Sequence, residues 1–188
     1  MKKILLVGLV ALTGIAAGCK KIKQLANIDV TIPYSQQVSV PQVAGDTAGV
    51  PLPPGGVSLP FPAFPVVTNS QQYIAQYKTS TGKIVSFGLG SMVIDILSPA
   101  SQNFNFLDSI QIFISANNQP EVLVAYQYAV PKGATMLNLY AVPNVNLKNY
   151  FIQDTMYFRV SSHINAVPAS GTQLNIVSAF NLVANPLD

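Results

Sequence analysis

Apolar and polar residues alternate along most of this chain, and the alternation predicts β-strands. In the clearest example, Ile110, Ile112 and Ile114 alternate with Gln111 and Phe113. Because successive side chains of a strand point to opposite faces, we expect the three isoleucines to face one core. Similar short runs recur every ~8–14 residues between turn-forming residues. The other predicted strands cover residues 28–32 with a continuation at 38–40, 84–87, 92–96, 122–130, 137–139, 156–160 and 174–182.

The number and spacing of these runs predict an all-β fold. About seven to nine short strands joined by turns are typical of an antiparallel β-sandwich, either Ig-like or jelly-roll-like. A closed β-barrel is the alternative arrangement. We expect Leu174, Ile176 and Phe180 in the last strand to share the core with the isoleucines of residues 110–114.

One short helix is predicted near residues 70–80. Asn69 or Ser70 can cap its start, and Tyr73 and Tyr77 lie four residues apart on one helical face. Gly82 is expected to end the helix.

Smaller features interrupt the strand pattern. Gly88 and Gly90 break the alternation, which predicts a β-bulge between the runs at 84–87 and 92–96. Residues 117–120, with the sequence Asn-Asn-Gln-Pro, predict a turn.

Residues 41–65 hold seven prolines and four glycines and predict a long loop, because proline lacks a ladder donor and glycine weakens strands. Phe61 and Phe64 make this segment unusually apolar. Two interpretations follow. These side chains pack across a sheet edge or one end of the sandwich, or they form an exposed patch that binds a protein partner or the bilayer surface. Phe61 and Phe64 are therefore the candidate binding residues.

The N-terminus has the layout of an export signal. Lys2 and Lys3 precede an apolar run at residues 4–17, which is shorter than the ~20 residues of a membrane-spanning helix. The run ends in Ala-Ala-Gly at residues 16–18, directly before Cys19, the single cysteine of the chain. This ending resembles the lipobox of bacterial lipoproteins, with alanine at residue 16 where leucine is more common.

The lipobox resemblance implies an organisation for the whole chain. Residues 1–18 would be a removable signal peptide, and Cys19 would carry a diacylglyceryl group and a further acyl chain such as palmitate. Residues 19–27 would form a lipidated tether, and residues 28–188 the β-sandwich domain. Two or more acyl chains hold a protein stably on a membrane, whereas one does not.

A second resemblance concerns the domain. The sequence of residues 91–115, together with residues 146–150 and 158–160, is similar to uncharacterised β-sandwich lipoproteins of Bacteroidota. The resemblance implies an outer-membrane location and supplies no active site. Surface-exported members often carry an acidic run after the cysteine. None follows Cys19, so we expect the periplasmic face of the outer membrane.

Charge excludes a nucleic-acid partner. The chain has a formal charge of +3, but five of its ten basic residues lie within the first 23 residues. The other five basic residues are set against seven acidic ones, so the domain is slightly acidic and lacks a basic stripe.

The sequence contains little that indicates a catalytic site or a metal site. His163 is the single histidine, and a triad with Asp154 and a serine lacks the Gly-x-Ser-x-Gly motif. One histidine and one lipidated cysteine cannot form a zinc site. Glu121 with Asn117 and Asn118 is the best local oxygen cluster, but turn formation explains these asparagines. We expect no metal, no cofactor and no catalytic role for His163.

The sequence therefore predicts a membrane-anchored envelope lipoprotein whose domain is a non-enzymatic structural or binding module with a possible protein partner. A carrier of lipids or other apolar ligands is the first alternative, which a cavity between the sheets would distinguish. A glycan or peptide hydrolase is the second alternative, which a groove with two carboxylates would support.

Overall fold

The computed structural model describes residues 27–41 and 52–185. Within these residues the chain forms nine β-strands and two α-helices, along with two 3-10 turns at Thr81–Lys83 and Phe104–Phe106. The elements are β1 (Ile28–Ser39), β2 (Val57–Pro60), β3 (Phe64–Val67), α1 (Ser70–Gln76), β4 (Ile84–Ser98), β5 (Leu107–Ala116), β6 (Gln119–Gln127), β7 (Met136–Ala141), α2 (Lys148–Phe151), β8 (Thr155–Ile164) and β9 (Gln173–Ala184). Among the described residues, no helix has the length and apolarity needed to cross a bilayer.

The strands form one curled antiparallel sheet in the order β1-β9-β4-β7-β6-β5-β8-β2, with β3 also paired to β8. The sheet turns at β7, which pairs with β4 through Met136–Leu139 and with β6 through Tyr140 and Ala141. We call β1, β9 and β4 the first half-sheet, and β6, β5 and β8, together with the Tyr140–Ala141 end of β7, the second half-sheet. The all-β, sandwich-like prediction is confirmed. In the described strands no ladder joins β1 to β2 or β3, so the sheet is open rather than a closed barrel.

A cluster of aromatic rings joins the two half-sheets. The ring of Phe180 on β9 lies 6.2 Å from that of Phe158 on β8. The Phe180 ring also stacks on that of Phe87 of β4, with 4.9 Å between the centroids. It makes an edge-to-face contact with the ring of Tyr34 of β1, with 5.7 Å between the centroids. These contacts span both halves, so the inner faces of the curled sheet enclose a single core. Such aromatic pairs add about 0.5–1.5 kcal/mol beyond the burial of their area.

The predicted core residues are confirmed on both sides of this cluster. The strand β5 buries its inward positions, and so does β9, since both alternate apolar and polar residues. These buried residues are Ile110, Ile112, Ile114, Leu174, Ile176 and Phe180.

The predicted bulge is also confirmed. The pairing of β4 with β9 shifts register between Leu89 and Ser91, at Gly90. A Cβ on Gly90 would lie 2.9 Å from the side-chain nitrogen of Asn181, which is closer than Cβ atoms approach other atoms. Glycine at this position therefore lets the bulge form beside β9.

The prediction of one continuous loop over residues 41–65 is wrong in its C-terminal part. The strand β2 pairs with Ser161–Ile164 of β8, and β3 pairs with Thr155–Phe158 of the same strand. Both are four-residue edge strands, where proline is tolerated because an edge strand does not need every N–H for pairing. Residues 42–51 lie outside the described residues.

The predicted helix is confirmed and begins where expected, at Ser70 with Asn69 at the N-cap position, but its predicted end is wrong. Asn69 precedes it with φ 53° and its side chain makes no capping hydrogen bond. The helix ends at Gln76, and Lys78 follows with φ 49°, so the chain turns before it reaches Gly82. The predicted turn after β5 is shorter than expected and comprises Asn117 and Asn118.

Candidate functional site

An exposed group of tyrosines lies on the outer surface where β7, β6 and β5 meet. Tyr140 of β7 pairs with Tyr126 of β6, and Tyr126 pairs with Gln111 of β5. Gln111 alternates with the buried isoleucines of β5, so this line of three residues points away from the core. Tyr128 follows two residues after Tyr126. We call Tyr126, Tyr128 and Tyr140 the tyrosine row.

The rings of the tyrosine row pack against each other. The ring centroids of Tyr126 and Tyr128 are 4.6 Å apart with 27° between the planes. The Tyr126 and Tyr140 centroids are 5.9 Å apart with 35° between planes. Tyr126 is therefore covered on two sides, whereas the outer members stay in solvent, with Tyr128 58% and Tyr140 62% exposed.

Two side-chain amides make hydrogen bonds at or beside Tyr128. The Nε2 of Gln111 donates to the Tyr128 hydroxyl at 3.4 Å. The Nε2 of Gln127 donates to the carbonyl oxygen of Ala129 at 2.7 Å, which ties together the residues on either side of Tyr128. The row is thus organised before any ligand arrives, and less conformational entropy is lost on binding.

An ion pair covers the neighbouring part of this face. The Arg159 guanidinium lies 4.3 Å from the ring centroid of Phe113. Its Nε and Nη2 donate to the two carboxylate oxygens of Glu121 at 2.7 and 2.5 Å. The hydrogen bond from Arg159 holds the pKa of Glu121 below its ordinary value. The two charges therefore neutralise each other beside the tyrosine row.

The carboxylate of Glu121 is thus committed to Arg159 rather than to an oxygen cluster with Asn117 and Asn118. In the part of the chain that the structure describes, no group of three or more His, Cys, Asp or Glu side chains could hold a metal ion.

His163 has a carboxylate partner, but not the one considered from the sequence. Its Nδ1 lies 3.4 Å from Oδ2 of Asp108, whose other oxygen accepts a hydrogen bond from Asn165. The carboxylate beside His163 is therefore that of Asp108 and not that of Asp154. Over residues 27–41 and 52–185, no serine hydroxyl bonds to this imidazole. A Cβ on Gly56 would lie 2.5 Å from Cε1 of His163. The imidazole ring therefore packs directly against the backbone of Gly56, the residue before β2.

The two candidate binding phenylalanines belong to the fold. Phe61 is only 7% exposed, and its N–H donates to the carbonyl of Val160 at 3.1 Å. Phe64 is half-buried, and its ring lies 5.7 Å from that of Phe158. The exposed-patch interpretation is wrong for Phe61, and the packing interpretation accounts for both residues. Their contacts pack the segment that contains β2 and β3 against the edge of β8.

A groove of about 590 Å³ lies on the first half-sheet, between β4 and the segment that follows β7. The side chain of Asn146, one of the polar residues that line the groove, is already used, because its Oδ1 accepts from the backbone N–H groups of Phe87 and Lys148. This amide fixes the segment against β4. Cys19, the predicted lipidation site, lies outside the described residues.

The tyrosine row was missed from the sequence. Alternation predicts the strand at residues 122–130, but it does not show which of its outward positions lie beside those of the next strand. Two features of the sequence indicate the row. Tyr126 and Tyr128 lie two residues apart at the end of a predicted strand, and Tyr140 occupies an outward position of the following strand.

Comparisons with known proteins assign no family. No protein-family model matches the chain, and no curated protein matches it. Among solved structures, one described as Desmodium yellow mottle tymovirus aligns over 97% of this chain and 95% of that one, at 13% identity and a TM-score of 0.25. A similarity this weak carries no argument about the function.

Proposed function

We propose that this chain is an exported lipoprotein, anchored through Cys19, whose β domain is a non-enzymatic binding module that uses the tyrosine row. The observation that carries the proposal is the exposure of Tyr128 and Tyr140 beside Tyr126 on an ordered strand surface. Aromatic residues normally place most of their area in a core or an interface. Exposed aromatic surface held in a fixed arrangement is therefore the best candidate for contact with a partner.

The proposed anchor rests on the sequence. Lys2 and Lys3, the apolar run at 4–17 and the small residues before Cys19 together support export and lipidation. We place the protein on the periplasmic face of the outer membrane, as the resemblance to Bacteroidota lipoproteins implies.

The chemistry of the row supports binding more than catalysis. Its members offer ring surface and phenolic hydroxyls, with the amide of Gln111 beside them. The neighbouring charges of Arg159 and Glu121 are engaged with each other. Such groups can hold a ligand and orient it, whereas acid–base catalysis needs a titrating group within reach of the reacting atoms.

The anchor is tested by intact-mass measurement of the protein purified from bacterial membranes. We expect residues 1–18 to be absent and Cys19 to carry acyl chains, and Cys19→Ala to leave the domain folded while releasing it from membranes. An unmodified Cys19 or a retained signal peptide would refute this part of the proposal.

The binding module is tested by co-sedimentation of the purified full chain with cell-envelope fragments in detergent, which occupies the lipid anchor. We expect the wild type to pellet with the fragments and Tyr128→Ala/Tyr140→Ala to stay in the supernatant. Tyr77→Ala is the matched control, because it removes a tyrosine from the C-terminal end of α1. Equal pelleting of wild type and double variant would refute the assignment of the row.

A further inference from the structure

We infer that the tyrosine row binds a neutral glycan chain, an inference that rests on the proposed binding function and names its ligand class. A sugar ring has faces of C–H bonds and a rim of hydroxyls. The exposed rings of Tyr128 and Tyr140 offer surface for the C–H face of a sugar. The nearby hydroxyl and amide groups offer hydrogen-bond partners for the sugar hydroxyls.

The aromatic surface suits C–H contacts. The face of an aromatic ring carries partial negative charge, which attracts the slightly positive hydrogens of a sugar face. Tyr126 pairs with Gln111 on one side and with Tyr140 on the other, and the Tyr128 hydroxyl accepts from Gln111. The ring centroids of Tyr128 and Tyr140 lie 4.6 and 5.9 Å from that of Tyr126. The row is therefore elongated, which suits a chain of sugar rings better than a compact ligand.

The charge of the face excludes other ligand classes. An anionic ligand such as phosphate or a uronic acid needs a cation without a counter-charge, but the carboxylate of Glu121 accepts from Nε and Nη2 of Arg159 and offsets the charge of the guanidinium. A lipid surface needs continuous apolar area, and here phenolic hydroxyls and the Gln111 amide interrupt it. A neutral, hydroxyl-rich ligand is complementary to a face whose charges cancel and whose polar groups are uncharged.

The size of the row also favours a glycan over a protein. A stable protein interface buries about 800 Å² on each partner and involves about 20–30 residues. The row has three rings and one adjacent amide. A glycan chain can bind through a few such rings, because each sugar stacks on a single side chain.

The full chain is titrated by calorimetry with neutral oligosaccharides from cellulose, starch, xylan and chitin. The chain contains no tryptophan, so tyrosine emission gives a second readout of the same titration. We expect at least one of these oligosaccharides to bind and to change the tyrosine emission. Tyr140→Ala or Tyr128→Ala should each weaken binding about tenfold or more. Tyr140→Phe keeps the ring and should stay within about threefold of wild type, and Tyr77→Ala should bind as wild type does.

The outcomes separate this inference from the proposed function. If the row is needed for pelleting with envelopes but no neutral oligosaccharide binds, the glycan inference is overturned and the binding module stands. Binding confined to polygalacturonate or dextran sulfate also overturns it, because the ligand would then be anionic. Envelope binding that protease treatment of the fragments abolishes identifies a protein partner instead. Self-association that Tyr140→Ala removes identifies a second copy as the occupant.

Discussion

The outer faces of the two half-sheets differ, although their inner faces are alike. On the first half-sheet, Ser35 of β1 donates to Asn175 of β9 at 3.0 Å, and Thr31 approaches Asn181 at 3.5 Å. These polar side chains use their hydrogen-bonding groups on one another across the strands. On the second half-sheet, the tyrosine row leaves ring surface in solvent. Core formation requires neither pattern, so the outer face is where the two halves differ in what they can bind.

The same comparison separates two groups of aromatic residues. Phe61 and Phe64 come from a proline-rich segment and pack on the edge of β8, whereas Tyr128 and Tyr140 lie on regular strands or at their ends and are exposed. An aromatic residue in an apparent loop was thus structural, and aromatic residues on a strand surface are the candidates for binding. Exposure in the folded chain decides the role, since composition alone does not distinguish them.

The largest effect on stability is expected from Phe61→Ala. Loss of this buried ring should lower the free energy of unfolding by about 3–5 kcal/mol, because a cavity forms where β2 meets β8. Urea denaturation of the purified chain measures the change. A cost below about 1 kcal/mol would show that the segment is not part of the core and would return Phe61 to the binding candidates.

Core substitutions in the two half-sheets should be equally costly. Ile112→Ala on β5 and Ile176→Ala on β9 each remove a buried side chain and should cost about 2–5 kcal/mol. The two variants are compared by urea denaturation under the same conditions. If one of them unfolds like the wild type, the inner faces of the two half-sheets do not contribute equally to the core.

The ion pair between Glu121 and Arg159, beside the tyrosine row, should make a small, pH-dependent contribution to the free energy of unfolding. The depressed pKa of Glu121 means that the unfolded chain takes up the proton first, near the ordinary value of 4.5. The contribution is complete above that pH and is lost as pH falls through the lower folded value. Glu121→Gln should cost about 0.2–1 kcal/mol at neutral pH, since the pair is partly exposed.

This prediction is checked by denaturation of wild type and Glu121→Gln over a pH series. The difference between them should shrink as pH falls below 4.5. A difference that stays constant across the acidic range would mean that the Arg159 contact does not stabilise the charged form of Glu121.

The smallest effect on stability is expected from Tyr140→Ala. This side chain is 62% exposed, so the change in unfolding free energy should stay within about 0.5 kcal/mol. Its effect on oligosaccharide binding should be large, in contrast to Phe61→Ala. If Tyr140→Ala unfolds the domain, the row is a structural element, and loss of binding in that variant says nothing about a site.

Much of the fold could be predicted from the sequence, because alternation reports burial directly. The isoleucines of β5 and the apolar positions of β9 indicated their strands and faces, and two glycines indicated the bulge in β4. The edge strands β2 and β3 were missed because their prolines argue against strands in general, and only the edge position makes them acceptable.

The candidate site was harder to predict, because it depends on strand pairing. Tyr126 and Tyr140 are fourteen positions apart in sequence and meet only through the register of β6 with β7. The partner of His163 had the same difficulty, since Asp108 approaches it through the pairing of β5 with β8. Alternation places a side chain on a face, but register decides which side chains are neighbours.

The central claim is that ligand binding takes place on the outer face of the second half-sheet and not on that of the first. Amide and tyrosine-ring NMR spectra of the full chain, recorded during titration with the oligosaccharide that binds in calorimetry, test it most directly. We predict shifts at Tyr126, Tyr128, Tyr140 and the adjacent Gln111, with none at Ser35 or Asn175. Shifts centred on Ser35 and Asn175, or distributed over both faces alike, would contradict the claim.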